Sequence, residues 1–352
     1  MKTAVWHVDA ISPDSEVIRE AAGIIKRGGL VAFPTETVYG LGADALNAEA
    51  VSALFEAKKR PLDNPPIVHV SKCITLERLV KSIPPEAHIL MEKFWPGPLT
   101  LIFKRSPIVP DITVAGLNTI ATRMPRHNVA LALIEESACP IAAPSANLAG
   151  RPSPTYASHV LTDLEGRIDA VLDAGSTNVG VESTVLDMTS DPPEILRPGG
   201  TPYEALVEIL GQVKLNPAAV ADHALPVKRV RSPGIKHKHY SPDAEVIVVE
   251  GELRAVVDKI TALAKDYKEE GKRVGVLCSD ETIEGYAGID ILKSLGSRKD
   301  SASLARNLFK LLREFEEEGA GIIIAEGVPS EGLGLAVMNR LRRAAGYKII
   351  KA

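Results

Sequence analysis

Short apolar runs typical of buried strands alternate with amphipathic stretches along most of the chain, and this alternation constrains the fold more than any other feature. The runs include "GLVAF", "PIVHV", "LTLIF", "TIATRM", "CPIAAP" and "DAVLDAG". Strands that alternate with helices are typical of the α/β class. Two helix starts are predicted as well. Ser12 can cap a helix whose first position suits Pro13, and Asn47 can cap another.

The length and a change of texture near residue 214 predict two domains. A chain of 352 residues exceeds what one hydrophobic core usually fills. The segment "NPAAVADHALPVKRVRSPGIKHKHYSPDA" lacks sustained periodicity, and residues 227–240 within it carry Lys and Arg but no acid. We therefore predict a first domain over residues 1–215, a basic linker over 216–243 and a smaller second domain over 244–352.

The second domain has the order of a parallel sheet. Its runs "EVIVVE", "RVGVLC" and "AGIIIAEG" are separated by long helical patterns, which predicts a Rossmann-like architecture. The stretch "GELRAV" after the first strand has one glycine where a dinucleotide fingerprint needs three, so no such cofactor is predicted. The glycines of "EGVPSEGLGLAV" are interpreted as a loop that leads into the helix "AVMNRLRRAAG".

Composition excludes several classes of protein. A formal net charge of −4 argues against a surface that seeks nucleic acid or anionic lipid throughout. Cys73, Cys139 and Cys278 lie far apart with no C-x-x-C pair, which disfavours disulfides and zinc and favours a reducing cytoplasm. The apolar runs are too short for a membrane span. No protein-held metal is predicted, since His237 and His239 lack a metal-ligand spacing.

Polar motifs interrupt the first domain close to the predicted strand ends, where open α/β sheets bind ligands. They are "PTETVYG", "KKRPLDNPPIVHV", "TIATRMP", "APSANLAGRPSPT", "VESTV" and "LRPGG". Their cations are Lys58, Arg60, Arg123 and Arg197, and their hydroxyls are those of Thr35, Thr119, Ser145, Ser153 and Ser183. Cations and hydroxyls with few acids predict a local site for an anion with several oxygens, such as phosphate or carboxylate.

Three of the candidate residues also have a plainer interpretation. Lys58 near a helix C-terminus can simply complement the helix dipole. His69 on an apolar strand can be a core histidine. Ser145 lacks the G-x-S-x-G elbow of a nucleophile, so it is interpreted as an anion-holding serine. Arg123 is different, because a guanidinium at the end of an apolar strand needs an anionic or carbonyl partner.

Taken together, these segments closely resemble the L-threonylcarbamoyladenylate synthase family, which is built on the YrdC-like domain. "PTETVYGLG", "KRPLDNPPIVHV", "WPGPLTL", "TRMP", "APSANLAGRPSPT", "GVESTV" and "LRPGG" occur in one order, and "SPGIKHKHYSP" resembles the linker of the long form. The resemblance implies an open twisted YrdC-like sheet followed by the Rossmann-like domain. It also implies a nucleotidyltransferase that makes threonylcarbamoyl-adenylate and pyrophosphate from L-threonine, bicarbonate and ATP, with Mg²⁺ held mainly by the ATP phosphates.

The resemblance also assigns roles to matching positions. The expected ATP-binding residues are Arg60, Asn64, Thr119, Ser145, Ser153, Arg197, Ser232 and Tyr240. The expected threonine-binding residues are Thr35, His69, Arg123, Ala143 and Ser183. The residues expected to carry catalysis are Lys58, Arg60 and Tyr240. The product would serve N6-threonylcarbamoyladenosine formation through downstream tRNA threonylcarbamoyl-transferase machinery, with only indirect contact to tRNA and no membrane partner.

Three questions stay open at the level of sequence. The linker is either a tether or a lid over ATP, with Gly234 as hinge and Tyr240 as donor. A non-catalytic RNA-binding module is one alternative function, although aromatic residues make up only 4% of the chain. A hydrogenase-maturation carbamoyltransferase is another, although this chain has no paired C-x-x-C modules.

In the stretch "YGLG", we expect Tyr39, Gly40 and Gly42 to form a tight wall, with glycine chosen for its backbone freedom.

Overall fold

The computed structural model describes residues 2–225 and 240–352, which separate into two compact units. Unit 1 comprises residues 2–149 and 153–219, and unit 2 comprises residues 150–152, 220–225 and 240–352. The predicted domain limits stay predictions, because residues 226–239, which are half of the predicted linker, lie outside the described residues. Among the described helices, none combines the length and the apolar character that crossing a bilayer requires.

The described strands of unit 1 form one mixed sheet. They are β1 (Ala4–His7), β2 (Val31–Phe33), β3 (Gly40–Asp44), β4 (Val68–His69), β5 (Leu99–Lys104), β6 (Thr119–Arg123), β7 (Ile141–Ala142), β8 (Ala170–Asp173), β9 (Thr184–Asp187), β10 (Glu194–Arg197) and β11 (Lys214–Leu215). Their order across the sheet is β1-β8-β2-β3-β7-β4-β6-β5-β9-β10-β11. Strands β4 and β6 are parallel, β5 is antiparallel to β6, and β9 is parallel to β5.

Helices of unit 1 cover both faces of this sheet. They are α1 (Ser15–Lys26), α2 (Ala48–Ala57), α3 (Cys73–Leu79), α4 (Pro85–Phe94), α5 (Asn128–Ser137), α6 (Ala157–Leu164) and α7 (Tyr203–Leu210), and a short helix α8 (Pro217–Val220) follows. Alternation along β2 divides the core. Val31 and Phe33 pack with residues of α1 and α5, whereas Ala32 packs with residues of α2 and α6.

The helix starts are partly as predicted. Asn47 caps α2, because its side chain accepts hydrogen bonds from the backbone N–H groups of Glu49 and Ala50. The prediction for α1 was wrong by two residues. Asp14, rather than Ser12, accepts from the backbone of the first turn, at 2.8 and 3.1 Å. A charged carboxylate also complements the positive end of the helix dipole, which a serine hydroxyl does not.

Unit 2 confirms the predicted parallel sheet. Its strands are β12 (Glu245–Glu250), β13 (Val274–Cys278), β14 (Ile291–Ser294), β15 (Ile322–Glu326) and β16 (Ile349–Lys351), and the order is β14-β13-β15-β12-β16 with every pairing parallel. The helices are α9 (Leu253–Glu269), α10 (Ser301–Glu317) and α11 (Gly334–Ala344). Helix α11 follows the glycine-rich loop, as predicted.

The glycines of "YGLG" have a different role from the one expected. Gly40 and Gly42 lie in β3, paired with β2, and neither has a positive φ. Backbone freedom is therefore not what these positions need. A Cβ at Gly42 would lie 2.8 Å from the Phe33 ring and 2.9 Å from Ile141, whereas one at Gly40 would lie 3.3 Å from Ala143. The glycines instead allow close packing on the sheet face.

We predict that Gly42→Ala lowers the free energy of unfolding by about 1–3 kcal/mol, because Phe33 and Ile141 must move to accept the methyl group. The matched control is Gly23→Ala within α1, where the nearest atom is the flexible end of Arg27 at 3.2 Å. This change should stabilise the protein by about 0.5–1 kcal/mol through helix propensity. Urea unfolding measures both values, and equal effects of the two substitutions would contradict the packing role of Gly42.

Candidate active site

Two predicted site residues stand side by side at one edge of the unit 1 sheet. His69 ends β4, Arg123 ends β6, and the two residues are register partners in parallel strands. Register partners project their side chains from the same face of a sheet. Both are almost fully buried, with exposed fractions of 3% each. The sheet therefore aligns an imidazole and a guanidinium on one face, at the strand ends where the sequence predicted a site.

The polar face continues across the neighbouring strands. Leu101 pairs with Thr122, which places Thr100 on β5 beside the end of β6. The Thr100 hydroxyl lies 2.8 Å from that of Ser183, the residue before β9. Arg197, which ends β10, donates from Nη2 to the Ser183 carbonyl at 2.9 Å and to its hydroxyl at 3.2 Å. The structure thus brings a predicted threonine-binding residue and a predicted ATP-binding residue into direct contact.

Arg123 is held by the loop that follows β2. Its Nη1 donates to the Thr37 hydroxyl at 3.0 Å, and its Nε donates to the Gly97 carbonyl at 3.0 Å. Its Nη2 lies 2.5 Å from Oε2 of Glu36, and both side chains are buried. Thr35, the predicted threonine contact, bonds to the Thr37 hydroxyl at 2.8 Å and to the Val38 carbonyl at 2.7 Å. The partner that Arg123 needs is therefore a carboxylate of its own chain.

His69 is neutral at the end of β4. Burial lowers the pKa of His69 to about 3, and the positive charge of Arg123 adds to this effect. Its Nδ1 lies 3.3 Å from the carbonyl of Ile67, whose oxygen also accepts from the backbone N–H of Ala143 at 2.8 Å. His69 and Ala143, both predicted threonine contacts, therefore share one backbone acceptor. A neutral imidazole can present its remaining nitrogen to a ligand without adding charge.

A second group of predicted residues surrounds the end of α2. The Lys58 ammonium donates to the carbonyls of Ser145 and Asn147, and Lys58 is only 1% exposed. The Ser145 hydroxyl donates to the Asn147 side chain at 2.6 Å. Arg60 donates from Nε to the Asn64 carbonyl at 2.9 Å. In this structure Lys58 and Arg60 hold the backbone of the loops that contain Ser145 and Asn64.

Thr119 and Ser153 lie apart from these groups. Thr119 begins β6, so it lies four positions before Arg123, or about 13 Å away along an extended strand. The Ser153 hydroxyl donates to Oε1 of Glu182 at 2.6 Å, and Glu182 directly precedes Ser183. Ser153 is therefore connected to the polar face through Glu182, whereas Thr119 lies at the opposite end of β6 from Arg123.

Tyr240 is a residue of unit 2. It is buried, has a left-handed φ of 66°, and stacks on Phe309 with ring centroids 5.3 Å apart. The Arg340 guanidinium lies 5.3 Å from the Tyr240 ring centroid. Its predicted roles in ATP binding and catalysis stay predictions. Ser232 and Gly234, with the rest of residues 226–239, lie outside the described residues, so the lid and tether hypotheses both stay open.

Sequence reasoning missed several polar residues of the site. They are Glu36, Thr37, Thr100, Asn147 and Glu182. Glu36 and Thr37 were part of the quoted motif "PTETVYG", but their side chains could not be assigned without knowing where Arg123 lies. Thr100 had a detectable signal, since it is a hydroxyl within the apolar strand "LTLIF". Within residues 2–225 and 240–352, no cluster of His, Cys, Asp and Glu has the geometry to hold a metal ion.

Two family models match the chain in sequence. One, described as "Telomere recombination", matches residues 23–199, and the other, described as "Threonylcarbamoyl-AMP synthase, C-terminal domain", matches residues 202–346. Curated relatives called threonylcarbamoyl-AMP synthase align over nearly the whole chain. The relative from Pyrococcus abyssi is 52% identical over 95% of each chain, and that from Bacillus subtilis is 46% identical over 100% of each.

Solved structures match the fold as well. The crystal structure of P. abyssi Sua5 complexed with L-threonine superposes with a TM-score of 0.94 at 50% identity, covering 99% of this chain and 100% of that one. E. coli YciO has a TM-score of 0.51 at 24% identity, covering 56% of this chain and 96% of its own. The YciO match shows the fold alone.

We predict that His69 makes the protein less stable as the pH falls from 7 to 5.5. The pKa of His69 is 6.5 in the unfolded chain and about 3 in the folded protein. Below about pH 6.5 only the unfolded chain takes up this proton, so the unfolded state is stabilised relative to the folded one. Relative to a His69→Gln variant, the wild type should lose about 1 kcal/mol of unfolding free energy over this range. The control is a His88→Gln variant on the exposed surface of α4. Identical pH profiles for the wild type and His69→Gln would contradict a neutral buried His69.

Proposed function

The chain belongs to the threonylcarbamoyl-AMP synthase family, and we propose that it makes threonylcarbamoyl-AMP by transferring the adenylyl group of ATP to a carbamate of L-threonine. This chemistry makes the enzyme a nucleotidyltransferase. Bicarbonate supplies the carbamate carbon, an oxygen of the carbamate attacks the α-phosphorus, and pyrophosphate leaves. The full-length match to synthases favours this function over an RNA-binding module or a hydrogenase-maturation carbamoyltransferase.

The observation that carries the proposal is the continuous polar face from Arg123 to Arg197. Both reactants of the adenylyl transfer are anions, so they must be held together by fixed positive charge and by hydrogen-bond donors. Ser183 contacts both Thr100 and Arg197, at 2.8 Å and 3.2 Å between side-chain atoms. A threonine carbamate near Arg123 and an α-phosphate near Arg197 could therefore meet over the hydroxyls between them.

Threonine binds, in this proposal, at the ends of β4 and β6. Arg123 takes the substrate carboxylate, because a guanidinium can donate two parallel hydrogen bonds to it. Neutral His69 and the hydroxyls of Thr35 and Ser183 contact the rest of the amino acid, and Ala143 contributes apolar surface. These roles are proposed from the family motifs, and the register pairing of His69 with Arg123 and the hydrogen bonds of Thr37 to both Arg123 and Thr35 support them.

ATP binds, in this proposal, to Arg60, Asn64, Thr119, Ser145, Ser153 and Arg197, with Lys58 near the phosphates. The approximately 13 Å between Thr119 and Arg123 along β6 is compatible with an extended nucleotide on this face. We propose that Mg²⁺ enters with the ATP phosphates, because magnesium often keeps its waters and uses few protein ligands. In this proposal the protein works in the cytoplasm and releases its product to the downstream tRNA threonylcarbamoyl-transferase machinery. It does not contact tRNA directly.

The experiment that tests this function is a pyrophosphate-release assay in which L-threonine, bicarbonate and ATP are omitted one at a time. We expect release only when all three are present, with threonylcarbamoyl-AMP as the second product by mass spectrometry. Salt-dependent filter binding to RNA, measured in parallel, addresses the non-catalytic alternative. Tight RNA binding without pyrophosphate release would contradict the proposed function.

We predict that Arg123→Lys impairs the use of threonine far more than the binding of ATP. A lysine ammonium cannot reproduce the two parallel donors of the guanidinium, nor reach Gly97 and Thr37 together. The value of kcat/KM for threonine should fall by about 100-fold or more, as is typical when substrate positioning is lost. The ATP affinity measured by calorimetry should stay within about threefold of the wild type, which is roughly 0.7 kcal/mol of binding free energy.

The matched control for this prediction is Arg126→Lys. Arg126 lies on the surface beside the same loop and donates from Nε to the Pro96 carbonyl at 3.0 Å. Its substitution should leave the kinetics of both substrates unchanged. Equal loss of threonine use in the Arg123 and Arg126 variants would mean that Arg123 does not hold the threonine carboxylate.

A further inference from the structure

Glu36 is a buried carboxylate that the family motifs leave without a role. It lies in the loop between β2 and β3 and is 5% exposed. Oε2 approaches Nη2 of Arg123 to 2.5 Å. In the described part of the chain, however, neither Oε1 nor Oε2 accepts a hydrogen bond of normal geometry, although both atoms are shielded from solvent. A buried carboxylate that has one ion-pair partner and no well-aligned hydrogen bond is costly, so it calls for an explanation beyond packing.

The charges of the Glu36–Arg123 pair are complementary to the two charges of a free amino acid. L-Threonine carries a carboxylate and an ammonium group, and the pair offers a guanidinium and a carboxylate side by side. A zwitterion can therefore insert into the pair, with its carboxylate on Arg123 and its ammonium on Glu36. Each charge of the buried pair then keeps a partner, which is what makes separation of such a pair tolerable.

We propose that Glu36 takes the ammonium group of L-threonine and accepts the one proton that carbamate formation releases. This inference rests on the proposed function. The ammonium form of threonine and bicarbonate give the carbamate anion, one water and one proton. An N–C bond forms, a C–O bond of bicarbonate breaks, and the departing oxygen leaves in the water. The proton goes to the Glu36 carboxylate. The later attack on the α-phosphorus releases pyrophosphate and transfers no proton.

The groups that face Glu36 suit this role. Arg123 on β6 stabilises the carboxylate while the site is empty, and His69 on β4 stands beside Arg123. His127, at the start of α5, also interacts electrostatically with the Glu36 carboxylate. Burial lowers the pKa of His127, and the nearby Glu36 opposes this effect. With threonine bound, its carboxylate takes the place of Glu36 on the Arg123 guanidinium, and its ammonium group is the cation that faces Glu36, which places the proton donor next to its acceptor.

A purely structural role for Glu36 makes a different prediction. If Glu36 only fixes the position of Arg123, its removal lowers activity by the same factor at every pH. If Glu36 is the proton acceptor, a neutral replacement leaves deprotonation of threonine to solvent. As long as the pH is below the pKa of the threonine amine, each unit by which the pH rises increases the concentration of the free amine about tenfold. The defect should therefore shrink as the pH rises.

The test is kcat/KM for threonine in Glu36→Gln from pH 7 to pH 9, with saturating ATP and bicarbonate. We expect a loss of about 100-fold at pH 7, within the usual range for a general base, and a loss of less than about tenfold at pH 9. Calorimetric ATP affinity should be unchanged. The matched control is Glu20→Gln on the exposed face of α1, which should follow the wild type at every pH.

A second measurement separates this proposal from the proposed function. ATP formation from supplied threonylcarbamoyl-AMP and pyrophosphate runs the adenylyl transfer backwards and needs no proton acceptor. We expect the wild type and Glu36→Gln to form ATP at similar rates. Failure of the wild type to form ATP would overturn the proposed function itself, and the assignment of Glu36 would fall with it.

Glu36→Asp covers the case in which Glu36→Gln does not fold. The aspartate keeps the charge beside Arg123 but withdraws the carboxylate by one methylene, so kcat/KM should fall by about 10- to 100-fold at pH 7 and recover towards pH 9. A loss that is constant across the pH range in the folded variant, or activity within threefold of the wild type at pH 7, would overturn the role of Glu36 as proton acceptor.

Discussion

The ion pair between Arg123 and Glu36 is the interaction on which the rest of the site depends. Both side chains are buried, and Arg123 is also held by the Gly97 carbonyl and the Thr37 hydroxyl. Removing one partner from such a pair typically costs about 3–5 kcal/mol, because a charge is left buried and uncompensated. The loop after β2, the end of β6 and the turn before β5 are therefore fixed relative to one another around a single guanidinium.

The register of the sheet extends this arrangement across unit 1. His69 pairs with Arg123, Thr100 pairs with Val185, and Arg197 pairs with the same Val185 from the other side. Register partners share a face, so these three strand pairings, together with the antiparallel pairing of β5 with β6, place the cations and hydroxyls in one row. A one-residue slip of any of these strands would turn its polar residues to the opposite face. The site is thus a consequence of pairing between distant segments rather than of one continuous motif.

Local chemistry explains what the sequence could predict. Alternating apolar runs gave the α/β class and the parallel order of unit 2, and Asn47 marked a helix start because capping needs only its own turn. The features that the sequence did not predict depend on residues that are distant along the chain. Gly42 is glycine because of Phe33 and Ile141, and Glu36 became significant only when β6 placed Arg123 beside it. The roles proposed for individual site residues were predicted from the family motifs, because no local rule distinguishes a ligand-holding serine from a structural one.

The most direct test of the central claim is a crystal structure of the chain with L-threonine bound. We expect the threonine carboxylate at about 2.9 Å from the Arg123 guanidinium, with the ammonium group facing Glu36. The distance from Glu36 Oε2 to Arg123 Nη2 should then exceed its present 2.5 Å. Threonine bound away from Arg123, with the Glu36 pair intact, would contradict the account.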